Sequence, residues 1–261
     1  IGPQSLKVAK ALYEVIAKKG VIVMSSTTAA EFEKVVEGIY RDVNIALANE
    51  LAKLAHKLGL DFEEIRKAAN SQPYCNIHKP GAGVGGYCIP IYPYFVLHKA
   101  LEYDLEMPLT RTARIINETM PEYTVHLMLK AIRKAKLNPE NVKVVILGLA
   151  FRGNIGDYRL SPTFDIIRYL KSYGIKDILI HDPHVEEVSV VEKLVKDIGE
   201  ALKGRNVVII VTDHREYSSL TLKDIKTLSM QEKVIIIDGR NVLDYKSKTE
   251  HGIVYVGIGR P

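Results

Sequence analysis

Residues 141–181 read NVKVVILGLAFRGNIGDYRLSPTFDIIRYLKSYGIKDILIH, and this stretch decides the fold of the chain's second half. Its first part, Val142–Gly148, is an apolar run that reads as a strand. A helical period follows over 162–173, then a second strand over 177–181. Beyond it come weak helical patterns across 186–203, a strand over 206–212, a helix over 221–229 and strands over 233–238 and 253–257. Strands alternating with helices predict an α/β unit with a parallel, doubly wound sheet.

Upstream of Asn138-Pro139 the character is different. Residues 5–18 have a helical period, Gly20 stops it, and Val21-Ile22-Val23-Met24 reads as a short buried strand. Ser25 to Thr28 offer N-caps for a helix from about 29 to 58, roughly 45 Å long, with Gly38 as its interior weak point. Such length suits a domain-connecting or dimer-forming spine. Gly59 ends it, and Asp61 caps a short helix over 62–70. The run SQPYCNIHKPGAGVGGYCIPIYP, residues 71–93, reads as loop, followed by helices over about 93–103 and 109–136. Three units result: 1–25, which looks like the end of an α/β domain, a helical domain over 26–138 and the α/β domain over 139–261. The chain begins Ile1-Gly2-Pro3 with no initiating Met, so the first unit is expected to be a remnant.

Composition bounds the function. With 261 residues and 47% apolar content, the chain can bury a large core without staples. Its net charge of +5 is mild and dispersed, which fits an anionic ligand better than a dedicated nucleic-acid binder. Two cysteines make no disulfide framework, and a reducing cytoplasm is the default expectation. No apolar run approaches the ~20 residues of a membrane span, and no signal peptide is visible.

Gly81-Ala82-Gly83-Val84-Gly85-Gly86 satisfies the spacing G-x-G-x-x-G. The dinucleotide reading is rejected, because that fingerprint must follow a strand and open a helix within a βαβ unit. What stays open is a plain flexible loop, or a loop whose missing Cβ atoms let backbone N–H groups approach a ligand. Cys88 favours the second. It stands two residues past the last glycine and just before Pro90 and Pro93, either of which suits the first turn of a helix. A thiol near a helix N-terminus is an activated nucleophile. Cys75 lacks this setting and reads as filler. His181-Asp182-Pro183-His184 invites a metal, but the end of a strand explains it better, and no metal is expected. Thr212-Asp213-His214 ends another strand and is a candidate lining of the ligand crevice. Lys130, Arg133, Lys134 and Lys136 read as a solvated helix face.

The loop resembles the nucleotide-sugar 6-dehydrogenase family, whose motif runs G-x-G-x-G-G-x-C. Cys88-Ile89-Pro90-Ile91-Tyr92-Pro93 is similar to the C-I-P-V-D-P of its N-acetylamino-sugar branch, typified by UDP-N-acetyl-D-mannosamine as substrate. Ala29 to Lys34 with Tyr40-Arg41-Asp42-Val43-Asn44-Ile45-Ala46 resembles that branch's long-helix motif. Gly148 to Asn154 with Asp157 to Pro162 resembles its G-L-A-F-K-x-N…D-x-R-x-S-P segment. Three motifs in order cover essentially the whole chain.

The resemblance implies a helical central dimerisation domain followed by a Rossmann-like domain that binds the UDP-sugar. The N-terminal NAD-binding domain would be absent except for its last helix and strand. It implies two successive oxidations at C6 of UDP-N-acetyl-D-mannosamine, with two NAD⁺, giving the mannosaminuronate for polysaccharide biosynthesis. Cys88 would be the nucleophile that carries a thiohemiacetal and then a thioester, and Lys34 the cation for the oxyanion. Arg41, Asn44, Asn76, Gly83, Gly85, Gly86 and Arg152 would contact substrate, and Arg159 the cofactor. A homodimer through the long helix is the implied assembly.

Several positions depart from the family. Gly38 stands where Asn is usual, one turn after Lys34, and Tyr92 stands where Asp is usual, four residues after Cys88. Tyr92 cannot serve as a base near neutral pH. Tyr87 replaces a common His, and Tyr74 an expected substrate-contacting Arg. These residues alone are therefore not expected to transfer hydride, and a UDP-sugar-binding relative without turnover is the alternative.

Overall fold

The computed structural model describes residues 2–186, 188, 193–245 and 251–260. Its first half is helical: α1 (Pro3–Ile16), α2 (Thr27–Leu58), α3 (Phe62–Ala69), α4 (Cys88–Leu101), α5 (Pro108–Glu118) and α6 (Met120–Lys134). Its second half contains β1 (Val144–Leu147), α7 (Pro162–Ser172), β2 (Ile178–His181), β3 (Leu194–Val195), α8 (Ile198–Leu202), β4 (Val207–Ile210), α9 (Arg215–Ser218), α10 (Leu222–Ser229), β5 (Val234–Asp238) and β6 (Ile253–Gly257). No helix among the described residues is long and apolar enough to cross a membrane.

The long helix forms much as its caps predict. The Ser26 hydroxyl accepts from the Ala29 N–H, and Gly59 closes the other end at φ 72°. Its buried face is built of small residues, among them Gly38, Ala46, Ala48, Ala52 and Ala55, which lets neighbouring helices come close. One pair on that interface is charged. Arg114 on α5 donates to Asp42 at 2.5 Å, and both side chains are buried. The Asn117 side-chain N–H₂ adds bonds to the Asp42 carboxylate at 2.8 Å and to its backbone oxygen at 2.9 Å. A buried ion pair persists only with such companions.

The sheet has the order β3-β2-β1-β4-β5-β6, with every neighbouring pair parallel. This is the Rossmann-like doubly wound order, reversing direction between β1 and β4. Side chains alternate across it. Val144, Ile146, Ile209 and Ile237 face one layer with Met128, Ile132, Ile166 and Leu170, so α6 and α7 cover the same side. Val145, Leu147, Ile210 and Ile236 face the other with Leu202, Leu222 and Ile225 from α8 and α10.

Four expectations need correction. Val21–Met24 is not a strand: it pairs with nothing described, and Ile22 is 87% exposed. A strand without neighbours leaves its backbone groups to water and gains nothing from pairing. The helix expected over 109–136 breaks at Thr119, because Pro121 enters the first turn of α6 without an N–H to continue the ladder. The weak helices over 186–203 become β3 and α8 where they are described; 187 and 189–192 lie outside the described residues. Finally, α4 begins at Cys88 rather than near 93, since Pro90 occupies a first-turn position whose N–H has no helical partner.

Candidate active site

A cleft of about 970 Å³ opens at the carboxyl ends of β1, β4 and β5. Open α/β sheets bind ligands there, at the strand-order reversal. One wall is Phe151, Arg152, Gly153 and Asn154, which follow β1, with Asp213 after β4 and Arg240 after β5. The opposite wall is Arg41 and Ile45 of α2 with the glycine loop and Cys88.

The loop is fastened from both sides. The Gly81 N–H donates to Asn49 at 2.9 Å, and Asn49 donates onward to Asn117, the partner of Asp42. The Ala82 N–H donates to the Gly239 carbonyl and the Gly86 N–H to the Arg159 carbonyl. A Cβ at Gly85 would lie 2.5 Å from the Phe151 Cβ and 2.8 Å from the Leu160 carbonyl. The glycines thus let the loop pack against the β1–α7 connection, and three of its N–H groups serve the protein rather than a ligand.

Five cations border the cleft: Arg41, Lys79, Arg152, Arg159 and Arg240. Arg159 is held by Asp157 at 2.5 Å and lies over the Tyr87 ring, its carbon 4.8 Å from the centroid. Arg240 approaches Asp213 at 3.4 Å. Arg41, Lys79 and Arg152 form no ion pair at hydrogen-bonding distance among the described residues. His78 lies in the same wall, and burial, then Arg41 and Arg66, hold its imidazole below the ordinary value. A neutral imidazole among guanidinium groups adds hydrogen-bonding capacity without repulsion.

Cys88 is exposed at the first position of α4. It lines the cleft with Arg41, Gly83, Gly85, Gly86, Arg152 and Arg159, so most of the residues singled out in the sequence converge here. Lys34 does not line it. Its ammonium is paired with Glu37 at 2.8 Å, which raises its pKa, and it interacts more weakly with Tyr92 and Cys88. Asn44 and Asn76 are also outside the lining. The Asn44 amide donates to the Asn76 carbonyl at 2.7 Å and accepts from the His78 N–H at 2.8 Å, which holds the loop's entry. Lys79 and Arg240 were not among the residues marked for binding, whereas Asp213, a candidate lining of the crevice, does line it. The signal for Arg240 was present: it follows the strand at 233–238, and open α/β sheets bind ligands at the carboxyl ends of their strands.

The β1–α7 connection hangs on Asp182. One carboxylate oxygen accepts from the Leu149 and Ala150 N–H groups, both at 2.8 Å, and from His214 at 3.1 Å. The other accepts from the His184 and Val185 N–H groups. These bonds outweigh burial and hold the carboxyl well below the ordinary range. His184, His214 and Glu216 lie close enough to suggest a metal. His214 is already committed, however. Its Nδ1 accepts from the Asn154 N–H at 2.9 Å, so its Nε2 carries the proton given to Asp182. A ligating nitrogen would need one of those bonds broken; as they stand, His214 and Asp182 tie the β1–α7 connection to the ends of β2 and β4.

A dinucleotide does not fit the first β–α turn. Gly148 at φ 106° brings the turn so close to Thr212 that even a Cβ would collide with it. Pro162, opening α7, packs under Gly83, whose Cβ would be 2.8 Å away. The helix N-terminus that would receive a pyrophosphate is covered by the glycine loop.

Comparison with known proteins follows this geometry. Residues 28–119 match the central domain of the UDP-glucose/GDP-mannose dehydrogenase family, and residues 145–245 match that family's UDP binding domain. A UDP-N-acetyl-D-mannosamine dehydrogenase of Pyrococcus horikoshii is 38% identical over 260 residues, 100% of this chain and 58% of that protein. The solved UDP-D-ManNAc dehydrogenase from Pyrococcus horikoshii superposes with TM-score 0.86 at 36% identity, covering 99% of this chain and 58% of that one. An NDP-N-acetyl-D-galactosaminuronic acid dehydrogenase structure from Methanosarcina mazei gives TM-score 0.90 at 30% identity, covering 100% and 57%. The chain therefore spans somewhat over half the length of the relatives it matches.

Proposed function

This chain belongs to the UDP-glucose/GDP-mannose dehydrogenase family, and on that premise we propose that its protein oxidises UDP-N-acetyl-D-mannosamine at C6 to the uronate, with NAD⁺ as hydride acceptor. The observation that carries the reading is the cleft itself: an exposed cysteine at a helix start faces a ring of guanidinium groups across a space of about 970 Å³. Arg41, Lys79, Arg152 and Arg240 suit a pyrophosphate, and guanidinium groups bind phosphate oxygens in pairs. Cys88 then meets the far end of the same ligand, where an aldehyde at C6 would be captured as a thiohemiacetal. Lys34, which interacts electrostatically with Cys88, is the cation for the oxyanion, and Arg159, which also interacts with Cys88, contacts the cofactor. NAD⁺ is the oxidant consumed.

The expected assembly is a homodimer through α2. Phe32, Val36, Tyr40, Leu47 and Leu54 are all exposed. At ~100° per residue they fall within about 80° on one face of the helix, opposite the face that carries Lys34 and Arg41. Light scattering should give twice the chain mass. A free thiol in the working site suits the reducing cytoplasm.

The decisive assay mixes the protein, UDP-N-acetyl-D-mannosamine and NAD⁺ and follows absorbance at 340 nm. Two NADH per sugar are expected, and none from Cys88→Ser beyond a first turnover. Absence of NADH with UDP-sugar still bound in calorimetry would defeat the reading and favour a binding protein without turnover.

A further inference from the structure

Two departures from the family meet in space. Gly38 is on α2 one turn after Lys34, and Tyr92 is on α4 one turn after Cys88. A Cβ placed at Gly38 would lie 2.6 Å from the Tyr92 Cδ2 and 3.3 Å from both its Cβ and Cγ. The base of that ring cannot swing away, because its own Cβ is among the atoms in the way. The ring sits in space that only a glycine leaves open. Residues four apart share a helix face, so the phenol lies along the surface that carries the Cys88 sulfur. Its interaction with that thiol holds the phenol above the ordinary tyrosine value.

We propose that Gly38 and Tyr92 form one unit in which the phenol O–H donates to the Cys88 thiolate, making Tyr92 a positioning residue for the nucleophile. This rests on the reading of Cys88 as the reacting group. The other charged groups facing the sulfur are Lys34 of α2, itself paired with Glu37, and Arg159 of the β1–α7 connection, itself paired with Asp157. Both cations already have carboxylate partners. The phenol is therefore a donor one turn away on the same helix, and it needs no proton transfer to act. A Tyr in this place cannot take a proton from water at neutral pH, so it replaces the usual carboxylate by holding the sulfur rather than by acting as a base. Glycine at 38 is its spatial counterpart, because a side chain there would collide with the ring.

The test uses the full chain carrying Cys75→Ser, so that Cys88 is its one thiol, and measures alkylation by iodoacetamide against pH. Tyr92→Phe keeps the ring over Gly38 and removes the hydroxyl. Its alkylation rate at neutral pH should fall about tenfold, as expected for a lost charge-assisted hydrogen bond, with the rate profile displaced to higher pH and thermal unfolding unchanged. Gly38→Ala should lower the rate in the parent by forcing Tyr92, from its Cβ outward, away from α2 and its hydroxyl off the sulfur, and should lower it no further in the Tyr92→Phe background. Wild-type alkylation by Tyr92→Phe, or effects of the two substitutions that multiply, would overturn the proposal. Neither substrate nor NAD⁺ enters the assay. Failure of the dehydrogenase reading would appear instead as no NADH formed from UDP-N-acetyl-D-mannosamine and NAD⁺, with the alkylation results untouched.

Discussion

Arg114→Met removes one half of the buried pair between α2 and α5 and leaves the other half in place. Asp42 is fully buried, and one of its carboxylate oxygens has no hydrogen-bond partner. In the variant its remaining support is Asn117, at 2.8 Å. Breaking a buried pair in this way costs about 3–5 kcal/mol, because an uncompensated charge stays behind. For a chain of this size that corresponds to a fall of roughly 6–20 °C in Tm. The pH dependence has a definite sign. Burial, working against Arg114 and Asn117, places the Asp42 carboxyl above its ordinary value of 3.8. A raised acid in the folded state contributes stability below the unfolded value and loses it as pH rises through the folded one. Without Arg114 the folded value rises further, so the penalty is largest at neutral pH and shrinks on acidification toward pH 5. Urea unfolding followed by circular dichroism at pH 7 and pH 5 measures both. The double variant Asp42→Leu/Arg114→Met, which leaves no charge, should recover most of the loss. A single-variant cost below about 1 kcal/mol, a cost independent of pH, or a double variant as unstable as the single would refute the reasoning.

Three further outcomes are expected. Asp182→Asn should cost roughly 2–3 kcal/mol at neutral pH, since all five donors lose a charged acceptor and at least two of them face the amide N–H₂ instead. The wild-type carboxyl is depressed, so its contribution is present above about pH 4 and lost as pH falls below; the difference between the two proteins should therefore narrow in acid melts. Gly85→Ala should destabilise by about 1–3 kcal/mol through overpacking on Phe151 and the Leu160 carbonyl, read as a lower Tm. Arg240→Ala should weaken UDP binding in calorimetry about tenfold while Tm stays within a few degrees, because its guanidinium is partly exposed and its ion pair with Asp213 is long.

Much of the architecture could be read from local pattern. The strands at 142–148, 177–181, 206–212, 233–238 and 253–257 all form, because a strand buried on both faces needs a short apolar run and little else. The caps at Ser26, Asp61 and Ser161 also act as their residue types dictate. Errors arose where context outweighed pattern. Val21–Met24 has a strand's composition but no partner strand among the described residues. Two-residue β3 is too short for any periodicity to announce it.

The site divides along the same line. Glycine spacing and a following cysteine at a helix start are local features, and from them the loop at 81–88 and the cysteine that lines the cleft could be found in one dimension. The jobs of Asn44, Asn49, Asn117 and Asp182 could not, because each is fixed by hydrogen bonds to residues far along the chain. The same holds for Gly38 and Tyr92. In the sequence they are two separate departures, each a reason to doubt the site. In space they face each other: a Cβ at Gly38 would lie 2.6 Å from the Tyr92 ring, so the large ring fits only because the facing residue has no side chain. Local chemistry follows from residue type and short-range spacing; whether two substitutions compensate depends on which surfaces the folded helices bring together.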